Sequence, residues 1–191
     1  MWWYAGTPRE ARCRPYRCTR RPGRPSGTGI MSSGAPERLA AAYSASPEEP
    51  PLDDVYTFYA LQPGVFPIGP FQVTVDHVKH PVETYGVRVE HGGSVLAYSS
   101  DTSPCESLVR LARGADVFLC EASFLDGDGN PPGLHLTGRQ AGEAAAAAGV
   151  GRLLLTHLVA AWGSEAETYR QAKSAFPGPV EVVRPGARYR F

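Results

Sequence analysis

Residues 137–158 read TGRQAGEAAAAAGVGRLLLTHL. Thr137 followed by Gln140 is a capping box, the alanine run favours helix, and Gly149 is a stop. The spacing therefore predicts a helix over 137–149. The apolar run after it, RLLLTHL, has the length of a strand buried on both faces, yet it ends on a polar imidazole, His157. The same alternation extends both ways. Upstream, CESLVRLARGA (105–115) reads as a helix ending at Gly114, DVFLCEAS (116–123) as a strand and FLDGDGNPPGLHL (124–136) as a loop. Downstream, a helix starts at Ser164 with a second box to Glu167 and stops at Pro177-Gly178-Pro179. The strands VEVV (180–183) and ARYRF (187–191) follow. Helices alternating with buried strands predict an α/β layer.

Before residue 104 the pattern has period two. VYTFYAL (55–61), FQVTVDHV (71–78), YGVRVEH (85–91) and SVLAYSS (94–100) are β-branched or aromatic, and HGG (91–93) turns between the last two. They predict an antiparallel meander, so the sheet as a whole is mixed and the class α/β (α+β). Further upstream, APERLAAAY (35–43) is a short helix candidate and SASPEEPPLDD (44–54) a loop. No internal repeat is present.

The 191 residues suffice for one domain with a sizeable core, and the formal net charge is zero. Residues 1–30 hold seven arginines against one acid, Glu10, which leaves the rest acidic by six charges. This segment has neither helical nor strand periodicity, so residues 1–34 are expected to be disordered and the domain to occupy 35–191. Two other readings of the segment stand beside disorder: a basic RNA-binding arm, and out-of-frame translation of a GC-rich gene. No apolar run reaches the ~18 residues of a membrane span, and no signal-peptide core is visible. The four cysteines lack zinc-finger spacing, which points to a cytoplasmic protein with reduced thiols.

Ligand groups in α/β folds gather at the carboxyl ends of strands. Reading those ends gives His80, Asp101, Glu121 and His157, with His135 in the loop before a helix. Imidazoles and carboxylates in one cleft suit a zinc, manganese or iron site. Each residue also has a plain structural reading. Asp101 could cap the helix near Pro104, Glu121 could be a half-exposed loop residue, and a strand-end histidine could simply be hydrogen-bonded. Four successive strands delivering titratable groups at one end favour a site.

The segments HPVETYGVRVEHGG (80–93), YSSDTSPC (98–105), LCEASF (119–124), HLTGRQAG (135–142) and LLLTHL (153–158) resemble the metallo-β-lactamase fold hydrolases. The nearest branch is that of the ribonuclease Z-like and actinobacterial cyclic-nucleotide phosphodiesterases. The resemblance covers about residues 36–191. It implies half to two-thirds of an αββα sandwich and hydrolysis of a phosphodiester, either a small molecule or RNA. It also implies a cofactor of two metal ions, usually zinc, with manganese possible. By the family pattern His80 and His157 would each bind one ion and Asp101 would bridge them. His135 would donate a proton to the leaving group, held protonated by Glu121. The family motif H-x-H-x-D-H is absent from this sequence, SSDT stands in place of SGDT, and THLVAAW in place of THIPPW. The expectations are therefore an incomplete metal site, low activity of this chain alone, and a possible homo-oligomer through an exposed sheet face. A truncated inactive remnant and a non-enzymatic RNA-binding module are the alternatives.

Overall fold

The computed structural model describes residues 61–159 and 163–191. The account below is of the unit Gln62–Phe191. The arginine-rich segment, the helix expected at 35–43, all but Leu61 of the strand expected at 55–61, and the boundary at residue 34 lie outside the described residues.

The elements run β1 (Gly64–Ile68), β2 (Phe71–Val78), β3 (Thr84–His91), β4 (Ser94–Tyr98), α1 (Glu106–Ala112), β5 (Val117–Glu121), α2 (Gly138–Ala148), β6 (Arg152–Thr156), α3 (Glu165–Ala175) and β7 (Val180–Val182). Among the described residues they form one sheet in sequential order, β1 to β7. Pairing is antiparallel through β4 and parallel from β4 onward, which is the mixed sheet expected. The β3–β4 hairpin closes through Gly92 and Gly93, both at positive φ, as a two-residue loop of primed type requires.

One face of the sheet carries the helices. Ala97, Phe118, Cys120, Leu153 and Leu155 form a single core with Leu108 and Ala112 of α1, the alanines of α2, and Ala172 of α3. Fully burying each large apolar side chain is worth about 1.5–3 kcal/mol. Helix α2 starts and ends as its sequence dictates: Thr137 and Gln140 complete the box, and Gly149 closes the helix at φ 64. On the other face, register aligns Val75, Val87, Tyr98, Leu119 and Leu154 in an apolar row.

Three expectations need correction. Strand β1, GVFPI, is an addition to the expected strands; among the described residues it lies at the end of the strand order, where Pro67 is tolerated. Ser164 makes no side-chain cap on α3, and the Glu167 carboxylate accepts from the Gln171 amide one turn on rather than closing a box. Residues 187–191 form no strand: Gly186 turns the chain at φ 78, and Tyr189 returns its hydroxyl to the Arg184 amide.

Candidate metal and catalytic site

Strands β4, β5 and β6 are parallel neighbours, so their carboxyl ends lie side by side. Asp101 follows β4, Glu121 ends β5 and His157 follows β6. His80 joins them from beyond β2, where Lys79 bridges to Ser103. The loop before α2 is pinned by Phe124 N–H on Leu136 O (3.0 Å) and Gly138 N–H on Phe124 O (3.3 Å). That clamp brings His135 over the same strand ends, edge-on to Phe124.

The five residues selected from sequence converge. His157 Nδ1 lies 2.7 Å from Asp101 Oδ1, and His135 Nδ1 lies 2.8 Å from Glu121 Oε1. The His135 ring centroid is 5.2 Å from that of His157 and 5.8 Å from that of His80. His80 Nδ1 faces Val82 O at 3.3 Å and Thr84 Oγ1 at 3.4 Å, which fixes the ring.

Glu121 is the most constrained member, 1% exposed. Its Oε1 accepts from Thr102 N–H (2.7 Å), and its Oε2 from Ser123 N–H (3.2 Å) and the Ser123 hydroxyl (3.0 Å). It is thus a buried acceptor with every neighbour a donor, not a half-exposed loop residue. Nor is Asp101 a helix cap: the residue before α1 is Cys105, with no side-chain cap, and Asp101 turns to His157. Burial, and after it the Asp101 charge, pushes the Tyr98 phenol upward.

Two backbone features mark the site. Among the described residues, Ser100 (φ 53) and His157 (φ 54) are the non-glycine residues at positive φ. Such strain persists only where surroundings over-determine it, and it clusters at functional sites. Ser100 stands where SGDT would place glycine, and its hydroxyl donates to Tyr85 O at 2.7 Å. Sequence reading missed Ser99, Thr102 and Ser123. Small hydroxyl residues after a strand carry no distinctive signal.

Two groups of donors could each hold a divalent ion; His135 belongs to both, and His80 and His157 fall in different groups. Ligand atoms of His80, Asp101 and His135 lie within 4.8 Å of one another, and so do those of Glu121, His135 and His157. Imidazole nitrogen and carboxylate oxygen are the donors zinc and manganese take.

The family described as a beta-lactamase superfamily domain matches residues 36–158. The chain belongs to this family. It is a metallo-β-lactamase fold protein of the ribonuclease Z-like branch, a metallohydrolase family. An uncharacterised protein of Mycobacterium leprae is 40% identical over 173 residues, covering 88% of this chain and 61% of the relative. Ribonuclease Z of Thermobifida fusca is 38% identical over 114 residues, 58% of this chain and 36% of that enzyme. The crystal structure of the metallo-β-lactamase fold protein YhfI from Bacillus subtilis matches at TM-score 0.65 and 29% identity, covering 81% of this chain and 61% of that chain. This chain thus spans about three-fifths of the length of the mycobacterial relative. Among the described residues, no helix is long and apolar enough to cross a membrane.

Proposed function

We propose that this chain is a metal-dependent phosphodiesterase, with His80, Asp101 and His157 as metal ligands and His135 with Glu121 as the proton-donating pair. The observation that carries the reading is the juxtaposition of two His–carboxylate pairs of opposite exposure. Asp101–His157 is open to solvent, at 41% and 38% side-chain exposure, while Glu121–His135 is sealed, at 1% and 7%. The likeness to ribonuclease Z supports RNA among the substrates.

A divalent ion bound there would supply Lewis acidity toward a phosphoryl oxygen and lower the pKa of water. The protein's own part is orientation and proton delivery. Glu121 accepts Nδ1–H of His135 and so sets the ring's tautomer and direction. The proton at His135 Nε2 then passes to the departing oxygen, a contribution of about 10²–10⁴-fold. Asp101 lies 2.7 Å from His157 Nδ1 and within 4.8 Å of ligand atoms of His80 and His135, which supports reading it as the carboxylate that both ions would share.

Three ligands, one of them shared, leave two ions with two protein donors each, whereas catalytic zinc typically takes three. We therefore expect turnover well below that of a complete family member. The test strips the chain with chelator, restores Zn²⁺ or Mn²⁺, and compares a generic phosphodiester, a cyclic nucleotide and an RNA. Metal-dependent hydrolysis that Asp101→Asn abolishes supports the reading. Hydrolysis unaffected by chelation, or none on any diester at saturating metal, counts against it.

A further inference from the structure

We propose that Ser99 and Ser123 are positioning residues, each clamping the carbonyl of a left-handed residue to Glu121 so that Asp101 and His157 are presented together. The proposal rests on the reading of Asp101 and His157 as metal ligands. Ser99 and Ser123 are buried, at 0% and 3% exposure. Buried hydroxyls must be hydrogen-bonded somewhere. What needs explaining is where these two bond.

The Ser99 hydroxyl donates to Ser100 O at 2.7 Å and accepts from Glu121 N–H at 2.9 Å. The Ser123 hydroxyl lies 2.8 Å from His157 O and 3.0 Å from Glu121 Oε2. Ser100 and His157 are the two residues at φ 53 and 54. Each strained carbonyl is thus held by a buried serine, and each serine also touches Glu121. A hydroxyl has one hydrogen to give. The Ser123 hydroxyl therefore shares its hydrogen between His157 O, the shorter contact, and Glu121 Oε2, tying the one to the other.

The chain path makes these bonds consequential. Ser123 and His157 lie 34 residues apart, beyond the ends of adjacent strands β5 and β6. Releasing His157 O would let the residue leave the left-handed region, which rotates the imidazole away from Asp101. Releasing Ser100 O would do the same to Asp101 from the other side. Thr102 N–H, anchored on Glu121 Oε1, holds Asp101 from its carboxyl flank. Glu121 is therefore the post to which both ligand-bearing kinks are tied.

The test is a Co²⁺ titration of the full chain after chelator treatment, read by visible absorption. It compares wild type with Ser123→Ala, Ser123→Thr, Ser99→Ala and Asp101→Asn. Ser123 borders a cavity of about 120 Å³, which gives the threonine methyl room. Groups that orient metal ligands typically change affinity ~10–100-fold. Ser123→Ala and Ser99→Ala are expected to weaken Co²⁺ by roughly tenfold and alter the band shape, while Ser123→Thr stays near wild type. If circular dichroism shows Ser123→Ala unfolded, Ser123→Cys, isosteric with a weak donor, takes its place beside Ser123→Thr. Wild-type affinity and spectrum in the alanine or cysteine variant, with Asp101→Asn having lost binding, overturns the clamp alone. Undiminished binding by Asp101→Asn overturns the metal reading and the clamp with it.

Discussion

His157 Nδ1 lies 2.7 Å from an Asp101 carboxylate oxygen, although 56 residues separate them in the chain. Nothing local brings them together. Two parallel strand ends do, each kinked through a residue at positive φ. The buried pair Glu121–His135 sits beside them, and the two pairs differ sharply in exposure. The open pair can meet a ligand, and the sealed pair can hold a ring still.

Leaving-group dependence separates a proton donor from a structural histidine. His135→Ala should lower kcat by about 10²–10⁴-fold on a diester with an alkoxide leaving group. The loss should shrink sharply on a p-nitrophenyl diester, whose leaving group needs no proton. Equal losses on both substrates would assign His135 to folding.

Glu121→Ala removes the acceptor for two buried amides, a hydroxyl and an imidazole. Stranding such donors is expected to cost about 3 kcal/mol in urea denaturation, with Glu121→Gln losing less because its carbonyl still accepts.

Helices α2 and α3 touch through glycines. A Cβ on Gly138 would stand 2.4 Å from Thr168 O, and one on Gly142 2.5 Å from Ala172 O. Gly138→Ala and Gly142→Ala should each destabilise by about 1–3 kcal/mol, outweighing the gain of about 1 kcal/mol in helix propensity. Gly127→Ala, with open space around it, is the neutral control. Thermal melts give the comparison.

Burial raises the Cys120 thiol well above its ordinary 9.0. The folded state thus disfavours the thiolate. This contribution is complete below the unfolded pKa and is lost as pH rises through and beyond 9. Stability measured at pH 7 and pH 10 should fall less in Cys120→Ala than in wild type, and the thiol should resist alkylation in the native protein.

The order of strands and helices from β2 to β6, the capped α2 and the convergence of the five candidate residues were legible, because periodicity, capping chemistry and strand-end polarity are local. Strand β1 was not, since Pro67 hides a strand that, among the described residues, stands at the end of the sheet. The Ser164 box is absent, and its Glu167 carboxylate bonds Gln171 one turn on, a partner that the box spacing alone does not reveal. The roles of Ser99 and Ser123 were invisible because their partners are set by the sheet and not by neighbours in sequence.

The most direct measurement is diffraction from crystals of the chain grown with Zn²⁺, with data collected at the zinc edge. The expected result is an anomalous peak at coordination distance, about 2.0–2.2 Å, from the Asp101 carboxylate and an imidazole nitrogen of His80 or His157. A Zn²⁺-saturated chain whose peaks all lie away from Asp101 would contradict the metal site and the hydrolase mechanism built on it.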